Sequence, residues 1–206
     1  MKLRKVLGVG FSAVIIISIG IVILGKRYFE KEEKKGIDSN IIVSIIDIHN
    51  KTYLNALEMS VSEAEQRMAI VYDGMTIDEL AAKLDRYLKD DLSGKGYLYA
   101  THSLKLGVDP YLSVAISMHE TGCRWGCSKL LKNCNNVGGQ KGKPNCQGTY
   151  KGYETLDDGI RGFIDNIYNN YYKYGLTTPD EMNPKYAADP KWSYYVNKYI
   201  EQIKSV

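Results

Sequence analysis

Glu120 sits at the carboxyl end of a mostly apolar run, Pro110-Tyr-Leu-Ser-Val-Ala-Ile-Ser-Met-His-Glu120, which Thr121-Gly122 closes. A carboxyl group half-buried against apolar side chains resists ionisation. It can stay protonated near neutral pH and donate to a leaving oxygen such as that of a glycosidic bond. Such chemistry often needs a second carboxylate, as a base that positions water or as a nucleophile. Glu154, Asp157 and Asp158 are the candidates downstream. Glu154 follows Tyr153 in a strand-like stretch and is expected to face Glu120 across a groove. Asp157 and Asp158 precede a helix, where a carboxylate caps the first turn. Metal chemistry finds no support. His119-Glu120 does not extend to H-E-x-x-H, because position 123 is Cys, and His49 and His102 are the only other histidines. No metal or cofactor is assigned, and neither a Gly-rich phosphate loop nor a G-x-S-x-G nucleophile motif is present.

The elements around Glu120 carry their own signals. Asp109-Pro110 opens its helix as N-cap and first helical residue, and Gly122 suits a left-handed C-terminal turn. Thr76-Ile-Asp-Glu79 is a capping box before Leu80, Ala81, Leu84 and Leu88 at helical spacing. Tyr97–Leu106 reads as a second short helix. Leu156–Tyr174 and a last helix bearing Trp192, Val196, Ile200 and Ile203 resume the period, and Thr178-Pro-Asp-Glu181 marks one more start. Residues 123–155, rich in Gly, Asn, Lys and Cys, read as an irregular or β-hairpin lobe. Before Met75, an apolar run Ile41–Ile48, broken by Ser44 and Asp47, precedes a helical stretch Asn55–Met68. Residues 37–74 are therefore expected to form a helical stalk or cap.

All four cysteines, Cys123, Cys127, Cys134 and Cys146, lie in the lobe. Only the first spacing suits a zinc knuckle, so disulfides are favoured over zinc or free thiols. Four cysteines allow three pairings, and the sequence does not choose among them.

The segment Ala115-Ile-Ser-Met-His-Glu-Thr-Gly122, with Ser128 and Asn135-Asn-Val-Gly-Gly139, resembles the bacterial glucosaminidase family, whose core reads roughly A-I-x-x-x-E-[ST]-G, then Ser, then N-N-x-G. Gly94-Lys-Gly96, Gly107-Val-Asp-Pro110, Tyr153-Glu-Thr-Leu-Asp-Asp-Gly-Ile160, Tyr171-Tyr-Lys-Tyr-Gly-Leu-Thr-Thr178 and Lys185-Tyr-Ala187 with Pro190-x-Trp192 match in order, over about residues 75–205. The resemblance implies a mainly α, lysozyme-like α+β fold with a small irregular or β-hairpin lobe. It also implies an enzyme that cuts peptidoglycan glycan strands at N-acetylglucosamine. Glu120 matches the family's catalytic acid. Ser128, Asn135 and Asn136 match positions bordering the cleft, Tyr186 matches an aromatic near the catalytic Glu, and these four with Tyr153 are expected to bind substrate. The stretch Cys123-Arg-Trp-Gly-Cys127 departs from the family pattern, and its cysteines are expected to pin the loop beside Glu120. A lytic transglycosylase on the same fold, or a non-catalytic wall-binding component of an envelope-spanning machine, are the alternatives.

Residues 7–25 carry no charge. At ~1.5 Å per residue they are long enough, at ~28 Å, to cross a hydrocarbon core. Their length and the lack of a small-residue cleavage site favour an uncleaved single-pass anchor over a cleaved signal. Basic residues flank both ends, so orientation follows from the resemblance, whose members are typically exported. The expected domains are 1–36 as anchor and basic flank, 37–74 as stalk, and 75–206 as the lysozyme-like domain outside the membrane. The 206-residue chain has 27 basic and 24 acidic residues, a balance too mild for a nucleic-acid partner. Ten of its 17 tyrosines lie from Tyr150 onward, where ring faces with hydrogen-bonding tips could meet sugars.

Overall fold

The computed structural model describes residues 39–206. The apolar segment 7–25 lies outside the described residues, and among these no helix is long and apolar enough to cross a membrane. By the density of its contacts the chain divides into two units at Ser62/Glu63.

Helix α1 runs unbroken from Ser39 to Met68. The helix expected over Asn55–Met68 thus begins earlier, at Ser39. The segment holds neither Gly nor Pro, and Ser or Asp inside a helix costs less than ~1 kcal/mol. Its apolar side chains are exposed, from Val43 through Ile48 to Met59 and Met68.

The second unit is helical with two small hairpins. Strands β1 (Ile70–Tyr72) and β2 (Met75–Thr76) pair antiparallel around Asp73-Gly74. The expected stalk did not include this hairpin, although Asp73-Gly74 is the residue pair that such a turn favours. Tyr72 donates its hydroxyl to Asp109 Oδ1 at 2.7 Å, and Asp73 Oδ2 accepts from the Tyr111 hydroxyl at 3.0 Å. Residues just before Met75 thus brace the start of the Glu120 helix. Helix α2 (Ile77–Tyr87) opens with the Thr76–Glu79 capping box and packs on α3 (Gly96–Leu106). Leu88 is its C-cap, one position beyond the helix, and a 3₁₀ turn at Asp90–Leu92 follows.

Helix α4 (Pro110–Thr121) is the centre. Every residue from Pro110 to Met118 is buried, as expected for a helix apolar on all faces. Leu112, Val114, Ile116 and Met118 are each at most 1% exposed. At ~1.5–3 kcal/mol per buried large apolar side chain, this helix anchors the core. Asp109 caps it by accepting from the Tyr111 and Leu112 amides, and Gly122 ends it in the left-handed region at φ 63°. Helix α8 (Trp192–Ser205) lies against α4. Helix α6 (Leu156–Asn170) packs on α3, and α7 (Pro179–Tyr186), opened by the Thr178–Glu181 capping box, packs on α8. A separate 3₁₀ turn at Tyr172–Tyr174 ends the run the periodicity had joined to α6.

Between α4 and α6 lies the lobe. It holds one short helix, α5 (Lys129–Cys134), and a hairpin of β3 (Asn145–Cys146) and β4 (Tyr150–Lys151), extended by a bridge between Lys141 and Tyr150. Its cysteines pair Cys123–Cys127 and Cys134–Cys146.

Candidate active site

Glu120 emerges at the last turn of α4 beside a cleft of about 440 Å³. The lobe contributes one wall through Gly138, Gly139, Gln140 and Lys141. The helical side contributes Asn166, Tyr171, Tyr186 and Ala187. The backbone of Gly139 comes so close that a Cβ there would stand 3.4 Å from Glu120 Oε2. Trp192, 3% exposed at the start of α8, donates its indole N–H to Glu120 Oε1 at 3.1 Å. Burial raises the Glu120 pKa above the ordinary carboxylate range, and the Trp192 bond opposes the rise. The carboxyl is thus biased towards its protonated form yet reachable from the cleft, the state a proton donor needs.

Three aromatic rings back this carboxyl. Tyr186 stacks on Trp192 with centroids 4.3 Å apart and tilts against Tyr171 at 5.6 Å. The Tyr186 hydroxyl donates to the Gly138 carbonyl at 3.3 Å, tying the helical side to the lobe wall. Burial, then the nearby Glu120 charge, push its pKa far up, so it is a neutral hydrogen-bonding group. His119, the neighbour of Glu120, points elsewhere. Its ring stacks on Tyr195 at 5.8 Å, and burial lowers its pKa against the pull of Asp189.

The lobe wall is built by amide side chains. Asn136 is 1% exposed. Its Nδ2 donates to the carbonyls of Gln140 and Lys151 at 2.8 and 2.7 Å, and its Oδ1 accepts from the amides of Gly138 and Gln140. It therefore shapes the Gly138–Gln140 strip without facing the cleft. Tyr153 donates its hydroxyl to Gln140 Oε1 at 2.6 Å and so supports the wall from behind. Gly138 leaves room for Phe163: a Cβ would meet that ring at 2.2 Å. Ser128 caps α5, its Oγ accepting from the Leu131 amide at 3.3 Å, while its own amide donates to the Thr121 carbonyl at 2.8 Å. Its role is to close the loop back onto the end of α4.

Glu154 stands apart. It is exposed, lies beyond β4 in the turn that enters α6, and does not line the cleft around Glu120. The cause is Asn135. This residue caps α5 in the left-handed region at φ 51°, and its Nδ2 donates to the carbonyls of Tyr153 and Glu154 at 3.0 and 3.2 Å. Gly159 completes the grip, since a Cβ there would meet the Asn135 carbonyl oxygen at 1.7 Å. The chain is drawn towards α6 and away from the groove. Asp157 pairs with Lys95 at 2.7 Å, and Asp158 accepts from the Thr155 hydroxyl at 2.6 Å. Among the described residues, Glu120 is the one carboxylate in the cleft lining.

The structure thus brings Glu120 and Tyr186 to the cleft and places Asn135, Asn136, Ser128 and Tyr153 behind it as supports. Trp192, Gly139, Gln140, Lys141, Asn166 and Tyr171 had not been singled out as site residues. Trp192 did carry a signal, as part of the Pro190-x-Trp192 piece of the resemblance.

A protonatable carboxyl at a helix end, beside a cleft with aromatic and amide walls, suits the cutting of a glycosidic bond. The chain belongs to the glucosaminidase family: the model described as Mannosyl-glycoprotein endo-beta-N-acetylglucosaminidase matches residues 97–205, over half of its length. Solved structures similar to it include S. aureus autolysin E in complex with the muropeptide NAM-L-Ala-D-iGlu. There the TM-score is 0.48 at 20% identity, over 64% of this chain and 67% of that one. Another structure of S. aureus autolysin E gives 0.48 at 19% over 69% and 72%. A catalytic mutant with the disaccharide NAG-NAM gives 0.47 at 19% over 64% and 67%. No curated protein sequence matches the chain.

Proposed function

We propose that this glycoside hydrolase cleaves the glycan strands of peptidoglycan at N-acetylglucosamine, with Glu120 as general acid. The observation that carries the reading is the Glu120 carboxyl itself: mostly buried, held by Trp192 and open to a cleft with aromatic and amide walls. Protonated Glu120 donates to the departing glycosidic oxygen, and the ionised form it leaves receives the Trp192 N–H. Residues 7–25 serve as a single-pass anchor, the helical part of residues 37–74 as a stalk, and residues 75–206, with the hairpin that braces them, work on the outer side of the membrane. Fractionation of cells expressing the chain with and without residues 1–36 tests the anchor; equal recovery in the soluble fraction rejects it. For the activity, full-length protein in detergent should release muropeptides from purified sacculi, and Glu120→Gln should abolish the release. Full activity in that variant would remove the assignment.

Glu120 is the carboxylate of the cleft lining among the described residues, and two routes can run on it without another from the protein. Either the substrate's own acetamido group assists, or the strand closes on itself as in a lytic transglycosylase. Mass spectrometry of the products separates the two. Reducing N-acetylglucosamine ends support hydrolysis, and 1,6-anhydro-muramic ends support the lytic route.

A further inference from the structure

Residues 123–155 carry six cations, Arg124, Lys129, Lys132, Lys141, Lys143 and Lys151, against one acid, Glu154, at the far end. The remaining 21 basic residues share the rest of the chain with 23 acidic ones. The lobe is therefore a concentrated positive region on a chain that is otherwise slightly acidic. Five of the six cations are exposed, and Lys151 is half-buried. Among the described residues, ion pairs are made by Arg67, Lys95, His102 and Arg161, and by none of these six. Arg124 instead donates to Gln202 and lies over the Trp125 ring, and Lys151 lies over the Tyr153 ring.

This charge reaches the cleft. Lys141 lines it together with Glu120. Lys151 lies in the facing strand, its amide donating to the Gln140 carbonyl at 2.8 Å, and its ammonium turns to the Tyr153 ring behind the wall, so Lys141 is the lobe cation in the cleft lining. Lys141 is not the counter-ion of Glu120, whose protonation answers to burial and to Trp192. Lys141 is an exposed cation of the cleft lining.

We propose that this lobe recognises carboxylates carried by the substrate strand, the free carboxyls of its acidic peptide branches, with Lys141 the cation nearest the bond that is cut. The proposal rests on the peptidoglycan reading above. A neutral amino-sugar polymer would leave the six cations unmatched, whereas a strand bearing anionic peptides supplies the complementary charge. Phosphodiester polymers of a cell wall share the negative charge. Carboxylates are favoured because Lys141 lies in the cleft, where the strand being cut must enter. Exposed charges of this kind act through steering and salt-dependent binding.

The test uses full-length protein in detergent and three forms of sacculi: native, carboxyl-amidated, and stripped of phosphodiesters by hydrofluoric acid. Co-sedimentation of the Glu120→Gln protein should weaken about tenfold on amidated sacculi, hold on acid-stripped ones, and fall as salt rises. In protein with Glu120 intact, kcat/KM on native over amidated sacculi should be about 10, and this ratio should drop towards 1 in Lys141→Gln. Binding that ignores amidation, or that disappears on acid stripping instead, overturns the proposal. Cutting with equal kcat/KM on native and amidated sacculi sinks it and leaves the hydrolase reading intact. Carboxyl-dependent binding with no fragment released by any form does the reverse.

Discussion

The two walls of the cleft are held by different physics. On the helical side, α4 is buried from Pro110 to Met118, and Glu120 inherits its position from apolar packing. On the lobe side, the strip Gly138–Gln140 has two-residue strands for neighbours and is held by Asn136, Tyr153 and the Cys134–Cys146 disulfide. One wall is fixed by many weak, non-directional contacts, the other by a few directional bonds. A site assembled this way keeps its acid rigid, and the shape of its opposite wall depends on very few residues.

That contrast can be broken in several ways. The largest effect should come from Glu120→Gln, which removes the proton donor and should lower kcat by about 10³-fold; muropeptide release measures it. Next are the supports of the two walls. Ile116→Ala in α4 should cost about 4 kcal/mol by chemical denaturation, through a cavity in the core. Asn136→Ala should cost about 3 kcal/mol, because it strands buried backbone amides and carbonyls. If Asn136→Ala cost no more than a surface substitution, the lobe would not hang on that side chain. Removing the second bridge by Cys134→Ser with Cys146→Ser should cost about 2–4 kcal/mol. The loss should appear first as faster amide exchange in residues 135–151, with α4 protected for longer.

Two smaller effects concern protons. Trp192→Phe keeps a ring for Tyr186 to stack on but removes the bond that favours ionised Glu120. The Glu120 pKa should rise further, moving the alkaline limb of the kcat/KM profile to higher pH. Glu120 also affects stability. Its folded pKa lies above the unfolded one, so its favourable contribution exists at low pH and is lost as pH rises through the raised value. Glu120→Gln should therefore melt at higher temperature than the unaltered protein at neutral pH, and the difference should close towards the ordinary carboxylate range. Calorimetry at the two pH values checks this.

The helical wall could be read from the sequence because its signals are local. Asp109-Pro110, Gly122 and both capping boxes act within one turn, and the apolar period names the buried face. In the lobe a hairpin and disulfide bonding were legible, but not the particular pairings that build it. Which cysteines join, and that Asn135 takes hold of the Tyr153 and Glu154 carbonyls, depend on segments brought together from about twelve to twenty residues apart. The same holds for Trp192, 72 positions from the carboxylate it touches. Glu154 was expected opposite Glu120 because a strand was expected to continue. The strand stops at Lys151. In α1, the apolar period suggested a helix only from Asn55, yet without Gly or Pro the helix extends back to Ser39.

The Cys134–Cys146 bridge encloses Asn136 and the whole strip from Gly138 to Lys141. One wall of the cleft is thus part of a closed covalent ring. A protease that cuts any peptide bond between Cys134 and Cys146 opens the ring without dividing the chain. The severed ends stay tethered on either side of the cut, and the bonds made by Asn136 can draw them back into place.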